Sequence, residues 1–366
     1  MIEIKSYDAV YEQSIQALFS IPVSGDMVLS LERSPSYLTG AYIQTETPRI
    51  FLCVHTGNDQ VVGIFNIGLR RIIFEQKIKE VPYFCDLRIH PDFQNGTLLL
   101  KIIRQINTHC KDLDQIPAIT VVFADNHKMT SMIARRLVSS QKSDTPYYHE
   151  VAEIETHVFR SINSKKHPYH IRIANENDLD AMMSLQKQVN DQKYTPYYDL
   201  YKIKESPYYQ RLSISDFYLA FEGDSLCGFC GIWDLSSIKQ TRVLAYHGWM
   251  KHFRTVYNYV LPHFFNFPIL PKPGDQLNTC SIHAISIQGR NPVIFRTLLH
   301  QICEDIVGKS DISLLCTLDV KDPLNAVFDS KINKVSKAGK VYLINNDSTL
   351  DPKFQQSFFV VDAPRI

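Results

Sequence analysis

The chain of 366 residues carries 39 Lys and Arg against 38 Asp and Glu, which leaves a formal net charge of +1. Hydrophobic residues make up 45% and charged residues 21%, as in a globular protein with room for two domains. This even charge balance gives no reason to expect a nucleic-acid scaffold or a polybasic membrane binder.

Residues 1–8 lack the basic and apolar regions of a secretory signal peptide. The most apolar later stretch, residues 259–270, is interrupted by Pro262 and Pro268 and is too short to span a bilayer. The eight cysteines are scattered, and most lie in apolar runs, where a free Cys behaves as a small hydrophobe. We therefore expect a cytoplasmic protein with reduced cysteines and no membrane association.

Each half of the chain begins with a short strand and an amphipathic helix. In the first half the strand covers residues 2–4, and in the second it covers residues 169–173. The apolar residues that follow each strand recur with a period of 3.6, which predicts a helix with one buried face. These residues are Tyr11, Ile15, Leu18 and Phe19 in the first half, and Leu179, Met182, Met183 and Val189 in the second.

A β-hairpin is predicted next in each half. Residues 51–63 and 217–228 both read as an apolar strand, a tight turn with Gly and Asp, and a second apolar strand that begins at Gly63 or Gly228. A strand, a turn, a long amphipathic helix and another strand then follow in both halves. The two strand–turn–helix–strand segments run from residue 84 to residue 124 and from residue 282 to residue 318.

The offset between the two halves locates an insertion. It grows from 165 residues at Gly63 and Gly228 to 198 residues at Ile89 and Ile287, which places extra residues near 247–279. This segment is rich in Trp, Tyr, Phe and Pro. We predict an N-terminal domain at residues 1–160, a linker at 161–168 and a C-terminal domain at 169–366 that contains the aromatic insertion.

This order of elements resembles that of the GNAT N-acetyltransferase superfamily. Residues 86–94, Asp-Leu-Arg-Ile-His-Pro-Asp-Phe-Gln, resemble the family's fourth strand and the start of its phosphate-binding turn, usually written Val-His-Pro-Glu-Tyr-Arg. Residues 124–126, Ala-Asp-Asn, are similar to the polar turn after its fifth strand. The resemblance covers nearly the whole chain as two tandem copies, a layout similar to mycothiol synthase and other double-domain members.

The resemblance implies an α/β fold, in the mixed α+β sense, of two tandem GNAT-like domains, each a mixed twisted sheet flanked by helices. It implies an acyl-CoA-dependent N-acyltransferase that moves acetyl from acetyl-CoA to an amine of a small molecule or peptide by direct attack, without a metal. The turn and the helix N-terminus would bind the pyrophosphate of coenzyme A. The residues that the resemblance assigns to the coenzyme are Leu87, Arg88, Ile89, Gln94, Asn95, Gly96, Thr97, Leu98 and Asn126.

Both turns depart from the family pattern of glycines. In the first turn, Thr97 and Leu99 stand at Gly positions, and in the second, Pro292 removes an N–H that phosphate would use. The first copy is therefore the expected coenzyme site. An alternative is a drifted GNAT-fold binding or sensor module, and a transferase that uses aminoacyl-tRNA is disfavoured by the charge balance.

Three residues are candidates for catalysis. Asp86 can take the proton of an amine or bind its cation, or it can form an ion pair with Arg88 on the same strand face. Asn126 can bond the pantetheine or serve turn chemistry. His283 is a possible base or a buried core residue.

An aromatic-walled acceptor pocket is predicted in the second half, and Lys239 and Gln240 can add polar groups to it. The residues assigned to it are Trp233, Asp234, Tyr246 and Trp249, with packing of the aromatic side chains as the alternative. Cys227 and Cys230 point to opposite faces of a strand and do not suggest a metal site. We expect a monomer or homodimer that binds no nucleic acid.

Overall fold

The computed structural model describes residues 1–23, 27–94, 97–111, 117–138, 146–164, 168–189, 194–307, 311–329, 331–345, 348–354 and 359–366. In these residues the helices are α1 (Glu12–Ser20), α2 (Tyr37–Gln44), α3 (Leu98–Lys111), α4 (His127–Val138), α5 (Leu179–Val189), α6 (Gly248–Phe265) and α7 (Pro292–Ile306). The strands are β1 (Ile2–Ser6), β2 (Met27–Arg33), β3 (Ile50–His55), β4 (Gln60–Phe74), β5 (Lys77–Ile89), β6 (Ala118–Phe123), β7 (Tyr147–Phe159), β8 (His170–Ile173), β9 (Thr195–Pro196), β10 (Phe217–Glu222), β11 (Ser225–Trp233), β12 (Lys239–Tyr246), β13 (Thr279–Ile287), β14 (Ser313–Asp319) and β15 (Lys334–Asn345).

One large sheet runs through both halves of the chain, in the order β1-β3-β4-β5-β6-β15-β7-β14-β13-β11-β10-β8. The pairs β5–β6 and β13–β14 are parallel, and the other neighbours along this order are antiparallel. The two halves of this order are equivalent when each is followed from its edge toward the centre. The equivalent strands are β1 and β8, β3 and β10, β4 and β11, β5 and β13, and β6 and β14. The predicted mixed fold of two similar units is confirmed.

The two units exchange their last strands. β15, from the second half, lies between β6 and β7 of the first half. In return, β7 pairs with β14 of the second half. The predicted boundaries at residues 160 and 169 remain a prediction, and residues 165–167 of the predicted linker lie outside the described residues.

The long helix of each unit covers the sheet with its apolar stripe. In α3 the buried residues include Leu98, Ile102 and Ile106, and these pack with side chains of the first unit's strands. In α7, Phe295 and Leu298 pack in the same way in the second unit. Both helices follow the predicted 3.6-residue period.

The segment between β11 and β13 contains strand β12 and helix α6, and of these only α6 lies in the insertion predicted near 247–279. β12 leaves the large sheet and pairs with β2 of the first unit in a separate two-stranded ribbon. Helix α6 packs on the segment that follows it, where Tyr257 donates a hydrogen bond to the carbonyl of Pro268 at 3.0 Å. Among the described helices, none is both long and apolar enough to cross a membrane.

The strand exchange predicts that neither half folds alone. Residues 1–164 without β15 would leave the facing edges of β6 and β7 unpaired, and exposed edges promote aggregation. We expect fragments 1–164 and 168–366 to be insoluble or unfolded when expressed separately. When co-expressed, they should elute together as a 1:1 complex with native circular dichroism. A folded, soluble monomer of residues 1–164 would contradict this prediction.

Candidate functional site

A β-bulge interrupts β5 at the end of the first unit's hairpin. Asp86 and Leu87 together lie opposite the single residue Phe65 of β4. The backbone of Asp86 has a φ of 54°, which is the left-handed region that side chains rarely adopt. The bulge therefore fixes the direction of the Asp86 side chain and of the adjacent N–H groups.

The second unit has the same bulge. Ala284 and Ile285 of β13 lie opposite Cys230 of β11, and the φ of Ala284 is 50°. Asp86 and Ala284 are separated by the same 198 residues that relate Ile89 to Ile287 in the sequence. The structure thus places the bulges at equivalent positions of the repeat.

Next to each bulge, two parallel strands separate. β5 and β6 are paired only at Tyr83 and Ile119, and beyond that pair they diverge. β13 and β14 are paired at residues 279–281 and 313–315 and then also diverge. Backbone N–H and C=O groups that lose a strand partner must find another one. Each divergence therefore forms a gap that an extended polar chain can occupy.

In the second unit the chain itself fills this gap. The N–H of Phe359 donates to a carboxylate oxygen of Asp319 at 2.8 Å, and the N–H of Ala284 donates to Asp362 at 3.4 Å. On the other side, Arg290 and Asp322 form a buried ion pair, and Arg290 also donates to a main-chain carbonyl of β13. The second gap is consequently closed by residues 359–366 and by this ion pair.

The first gap lacks this burial. The side chains of residues 87–89 are half-buried, whereas the equivalent residues 285–287 are fully buried. Where β6 ends, Asp125 and Asn126 are exposed, whereas Asp322 after β14 is buried. The first gap is the more accessible of the two.

Helix α3 begins beside the first gap. Gln94 donates to the carbonyl of Ile89 at 2.9 Å and so ties the turn to the end of β5. Thr97, the residue before α3, is exposed, and Leu98 is buried in the core. Asn95 and Gly96 lie outside the described residues. The described part of the turn leaves the positive end of α3 open to solvent at Thr97.

Asn126 is a helix cap. Its Oδ1 accepts a hydrogen bond from the N–H of Met129 at 3.2 Å at the start of α4. A role in the turn was one of the two that the sequence predicted for Asn126, beside a hydrogen bond to the pantetheine. The Nδ2 group of Asn126 can still donate to a ligand at the end of β6.

Three side chains of the first unit hold the carboxylate of Asp86. Its Oδ1 accepts from Arg33 at 3.4 Å and from Gln44 at 3.3 Å, and its Oδ2 accepts from Tyr37 at 3.1 Å. Burial, with Asp86 as the next cause, raises the pKa of Tyr37 well above its ordinary value, so that Tyr37 remains a donor. A carboxylate has about four acceptor positions, so Oδ2 retains one for an incoming N–H.

Asp86 forms an ion pair with Arg33 and not with Arg88, the alternative that the sequence suggested. The bulge is the physical reason, because an extra residue breaks the alternation that would place residues 86 and 88 on one face. Arg88 instead donates to the carbonyl of Ile21 and lies over the ring of Phe19. Burial, and then the nearby Arg33, lower the pKa of Arg88 to about 10.

Lys239 of β12 reaches the same region from the second unit. Its Nζ donates to the main-chain oxygens of Pro364 at 3.0 Å and Ile366 at 2.8 Å. Burial lowers its pKa to about 7, Arg33 acts in the same direction, and Asp86 opposes the shift. Next to it, Gln240 accepts a hydrogen bond from the N–H of Ser34 at 3.0 Å.

His283 lies in the aromatic core of the second unit. Its ring is 5.2 Å from that of Tyr198 and 5.3 Å from those of Phe217 and Trp233. Burial lowers its pKa to about 3, so the imidazole is neutral near pH 7 and a poor proton acceptor. Of the two interpretations of His283, a buried core residue fits this position better than a catalytic base.

The four residues expected to line the acceptor pocket do not come together. Trp233 is 1% exposed and donates to the carbonyl of Gln210, whereas Trp249 is 64% exposed on α6. The hydroxyl of Tyr246 donates to the carbonyl of Pro271 at 2.8 Å. Asp234 accepts from the N–H of the residue two positions on, as turn aspartates do. None of the four lines the cavity of about 30 Å³ described below.

Sequence reasoning missed the residues that surround Asp86. Arg33, Tyr37 and Gln44 precede it by 42 to 53 residues, and no local motif links them to the strand. The one available signal was a cluster of polar residues in β2 and α2, next to apolar positions. That pattern alone does not distinguish a site from an amphipathic surface.

The lowered pKa of Lys239 predicts a pH-dependent effect of the substitution Lys239→Met. Between pH 7 and the ordinary value of 10.5, the unfolded chain binds this proton and the folded chain does not. Wild-type stability therefore rises with pH in this window, by at most about 1.4 kcal/mol per pH unit from this group. The stability of the Met variant relative to wild type should be highest at pH 7 and should fall toward pH 10.

Urea unfolding at pH 7, 8, 9 and 10 measures this difference. The control is Lys204→Met, because Lys204 is exposed and pairs with Glu176 at the surface. Its difference from wild type should stay nearly constant. A constant difference for Lys239→Met as well would contradict the prediction.

Neither a protein-family model nor a curated protein sequence matches the chain. Among solved structures, it is similar to the N-myristoyltransferase of Saccharomyces cerevisiae with bound myristoyl-CoA, with a TM-score of 0.59 and 9% identity over 98% of this chain and 85% of that one. It is also similar to a GCN5-related N-acetyltransferase from Anabaena variabilis, with a TM-score of 0.52 and 10% identity over 93% of this chain and 72% of that one. The specific likeness to mycothiol synthase remains a prediction. The chain shares its fold with N-acyltransferases of these two kinds.

Proposed function

We propose that the protein is an acyl-CoA-dependent N-acyltransferase whose coenzyme occupies the gap between β5 and β6. The observation that supports this most directly is the difference between the two gaps. They have the same bulge and the same strand divergence, but residues 359–362 are hydrogen-bonded to the strands of the second gap, whereas beside the first gap residues 87–89 are only half-buried and Asp125 and Asn126 are exposed. A gap that the fold preserves and the chain leaves open is suited to an extended ligand.

The second unit also indicates what the bulge binds. There the N–H of Ala284 donates to a carboxylate oxygen of Asp362. By the repeat, the N–H groups of Asp86 and Leu87 border the first gap, where a thioester oxygen would take the place of that carboxylate. Backbone donors aimed at such an oxygen stabilise the charge that develops on it during acyl transfer.

The coenzyme's other groups find partners along the same path. The pantetheine arm would bond the main chain of Leu87 and Ile89, and the amide of Asn126 would lie at the end of β6. The pyrophosphate would lie at the start of α3, near Gln94 and Thr97, where the helix dipole favours an anion.

The reaction follows from this placement. The acceptor nitrogen attacks the thioester carbonyl carbon, so that a C–N bond forms and the C–S bond breaks. The remaining acceptor position on Oδ2 of Asp86 receives an N–H of the amine, and the proton passes through this carboxylate to the departing thiolate, which leaves as free coenzyme A thiol. Asp86 is thereby the proposed catalytic residue.

The space beside the gap favours a short acyl group. A cavity of about 30 Å³ lies on the sheet face below the point where β5 and β6 meet, lined by apolar side chains such as Ile119 and Phe359 and by the charged Arg70, Asp362 and Arg365. This volume holds one water molecule or a methyl-sized group. We therefore propose acetyl-CoA as the donor. A binding or sensor module on the same fold would bind the coenzyme without releasing thiol, and a thiol-release assay separates the two proposals.

The open first gap predicts one acetyl-CoA per chain in a calorimetric titration. Thr97→Asp places a negative charge where the pyrophosphate would bind, and it should weaken binding by at least about tenfold, or 1.4 kcal/mol. An Asp at a helix N-terminus is otherwise favourable, so the variant should remain folded.

The matched control is Asn291→Asp in the turn of the second unit. Asn291 caps α7 through its side chain, and Asp preserves that cap. Because the second gap is filled, this variant should bind acetyl-CoA as wild type does. Two coenzymes per chain, or equal weakening by both substitutions, would refute the assignment to the first unit.

The small cavity predicts a preference for acetyl-CoA over long-chain donors. A myristoyl chain needs far more than about 30 Å³ of apolar space, so myristoyl-CoA should bind through its coenzyme part but transfer its acyl group at least about tenfold more slowly. Thiol release measured with both donors and the same amine panel tests this. Equal or faster transfer of myristoyl would show that acetyl is the wrong donor.

A further inference from the structure

The bulge of the first unit is surrounded by cationic side chains. Arg33 contacts Asp86 directly, and the guanidinium of Arg70 lies 3.1 Å from the ring centre of Tyr83. Arg70 also donates to the main-chain oxygen of Arg365. The cationic cluster consists of Arg33, Arg70, Arg88 and Arg365, and Lys239, whose pKa is lowered to about 7, lies beside it.

The carboxylates in this region are fewer than the cations. Within the described residues, the ion pairs of the cluster are Arg33 with Asp86 and Arg365 with Asp362, at 3.4 Å and 3.6 Å. Asp362 also accepts from the hydroxyl of Tyr198 at 2.8 Å. Buried charges without an opposite charge are costly. Four arginines, Arg33, Arg70, Arg88 and Arg365, thus face the carboxylates of Asp86 and Asp362, which leaves a positive excess that an anion would offset.

Several donors in the same region have no acceptor among the described residues. They are Nε of Arg33, Nδ2 of Asn66 and Nη2 of Arg365. Arg33, Asn66 and Arg365 are only 6%, 0% and 1% exposed. Oδ1 of Asn66 accepts from the N–H of Arg49 at 3.0 Å, so that Nδ2 is the amide group left over. Unmet buried donors are rare and call for an acceptor.

Arg33 and Asn66 are close to Asp86 through different contacts. Arg33 donates to the Asp86 carboxylate, and Asn66 is paired with Cys85, the residue that precedes the bulge. Donors for an anion thus lie on two residues near Asp86: Arg33 contacts its carboxylate, and Asn66 pairs with its chain neighbour. A ligand that carries both charges within a few bonds matches this arrangement.

We infer that the acceptor is a compact amine that also carries an anionic group, a carboxylate or a phosphate, which binds Arg33 and Asn66 while the amine binds Asp86. This inference rests on the proposed acyl transfer at the same bulge. A neutral amine of the same shape would leave the cations and donors uncompensated. The site therefore selects against it by the cost of unpaired polar groups.

Thiol release from acetyl-CoA by the full-length protein tests the inference with matched pairs. Each of the common L-amino acids is compared with its amide, and O-phosphoethanolamine is compared with ethanolamine. The anionic member of at least one pair should have a kcat/KM at least about tenfold above its neutral partner. A preference confined to the amino acids identifies a carboxylate, and one confined to the phosphate pair identifies a phosphate.

Two variants and one control refine the test. Arg33→Gln removes a cation, and Asn66→Asp adds a negative charge at nearly constant shape that should mimic the bound anion. Both should lose the preference for the anionic member. Arg172→Gln is the control, because Arg172 pairs with Asp178 at the edge of the second unit. It should retain the preference.

Thermal unfolding separates failure of the inference from failure of the proposed function. At fixed ionic strength, 10 mM of the anionic probes should raise the wild-type melting temperature more than their neutral partners, and Arg33→Gln should not respond. This result without any turnover would support the anion site and reject the transferase. Turnover or stabilisation that is equal for anionic and neutral members would overturn the inference.

Discussion

β5 and β6 are paired at a single position, and the more accessible of the two gaps exists because the pairing ends there. The bulge at Asp86 contributes to this separation, because an extra residue bends and twists its strand away from its neighbour. A left-handed residue other than Gly costs about 1–2 kcal/mol. Ala284 adopts the same conformation in the second unit without a functional side chain. The backbone strain therefore comes from the sheet geometry that both units share. The carboxylate of Asp86 is present at this position only in the first unit.

The strand exchange explains how two similar units become unequal. Because β15 crosses into the first unit, the chain that follows it emerges between the two halves, and residues 359–366 return along the second unit's gap. The first unit's last strand, β7, leads instead toward β8. Among the described residues, the segment 359–366 is hydrogen-bonded to the gap-forming strands at Ala284 and Asp319, both in the second unit. The inequality thus arises from the order of the elements.

Local patterns made much of the fold predictable. The hairpins, the amphipathic helices and the offset of 198 residues follow from apolar periodicity and turn residues, which act over a few positions. The strand exchange was not predictable, because the alternating pattern of β7 or β15 does not specify which strand it pairs with. The same limit applied to His283 and Trp233, whose strand positions look alike whether they face a cleft or a core.

The sequence pointed to Asp86 as a charged residue on the strand that resembles the fourth strand of the GNAT family. The side chains that surround it, however, come from distant segments of the chain. Arg33 and Lys239 reach it from β2 and β12, which pair only in the folded chain. A buried group of like charges seldom stabilises a fold, since removal from water costs more than imperfect pairing returns. An apolar replacement of similar size would leave the sheet intact with less electrostatic cost. These basic side chains lie at the bulge of the first unit, whereas the equivalent position in the second unit is Ala284. This difference favours a role for them in binding a ligand over a role in folding.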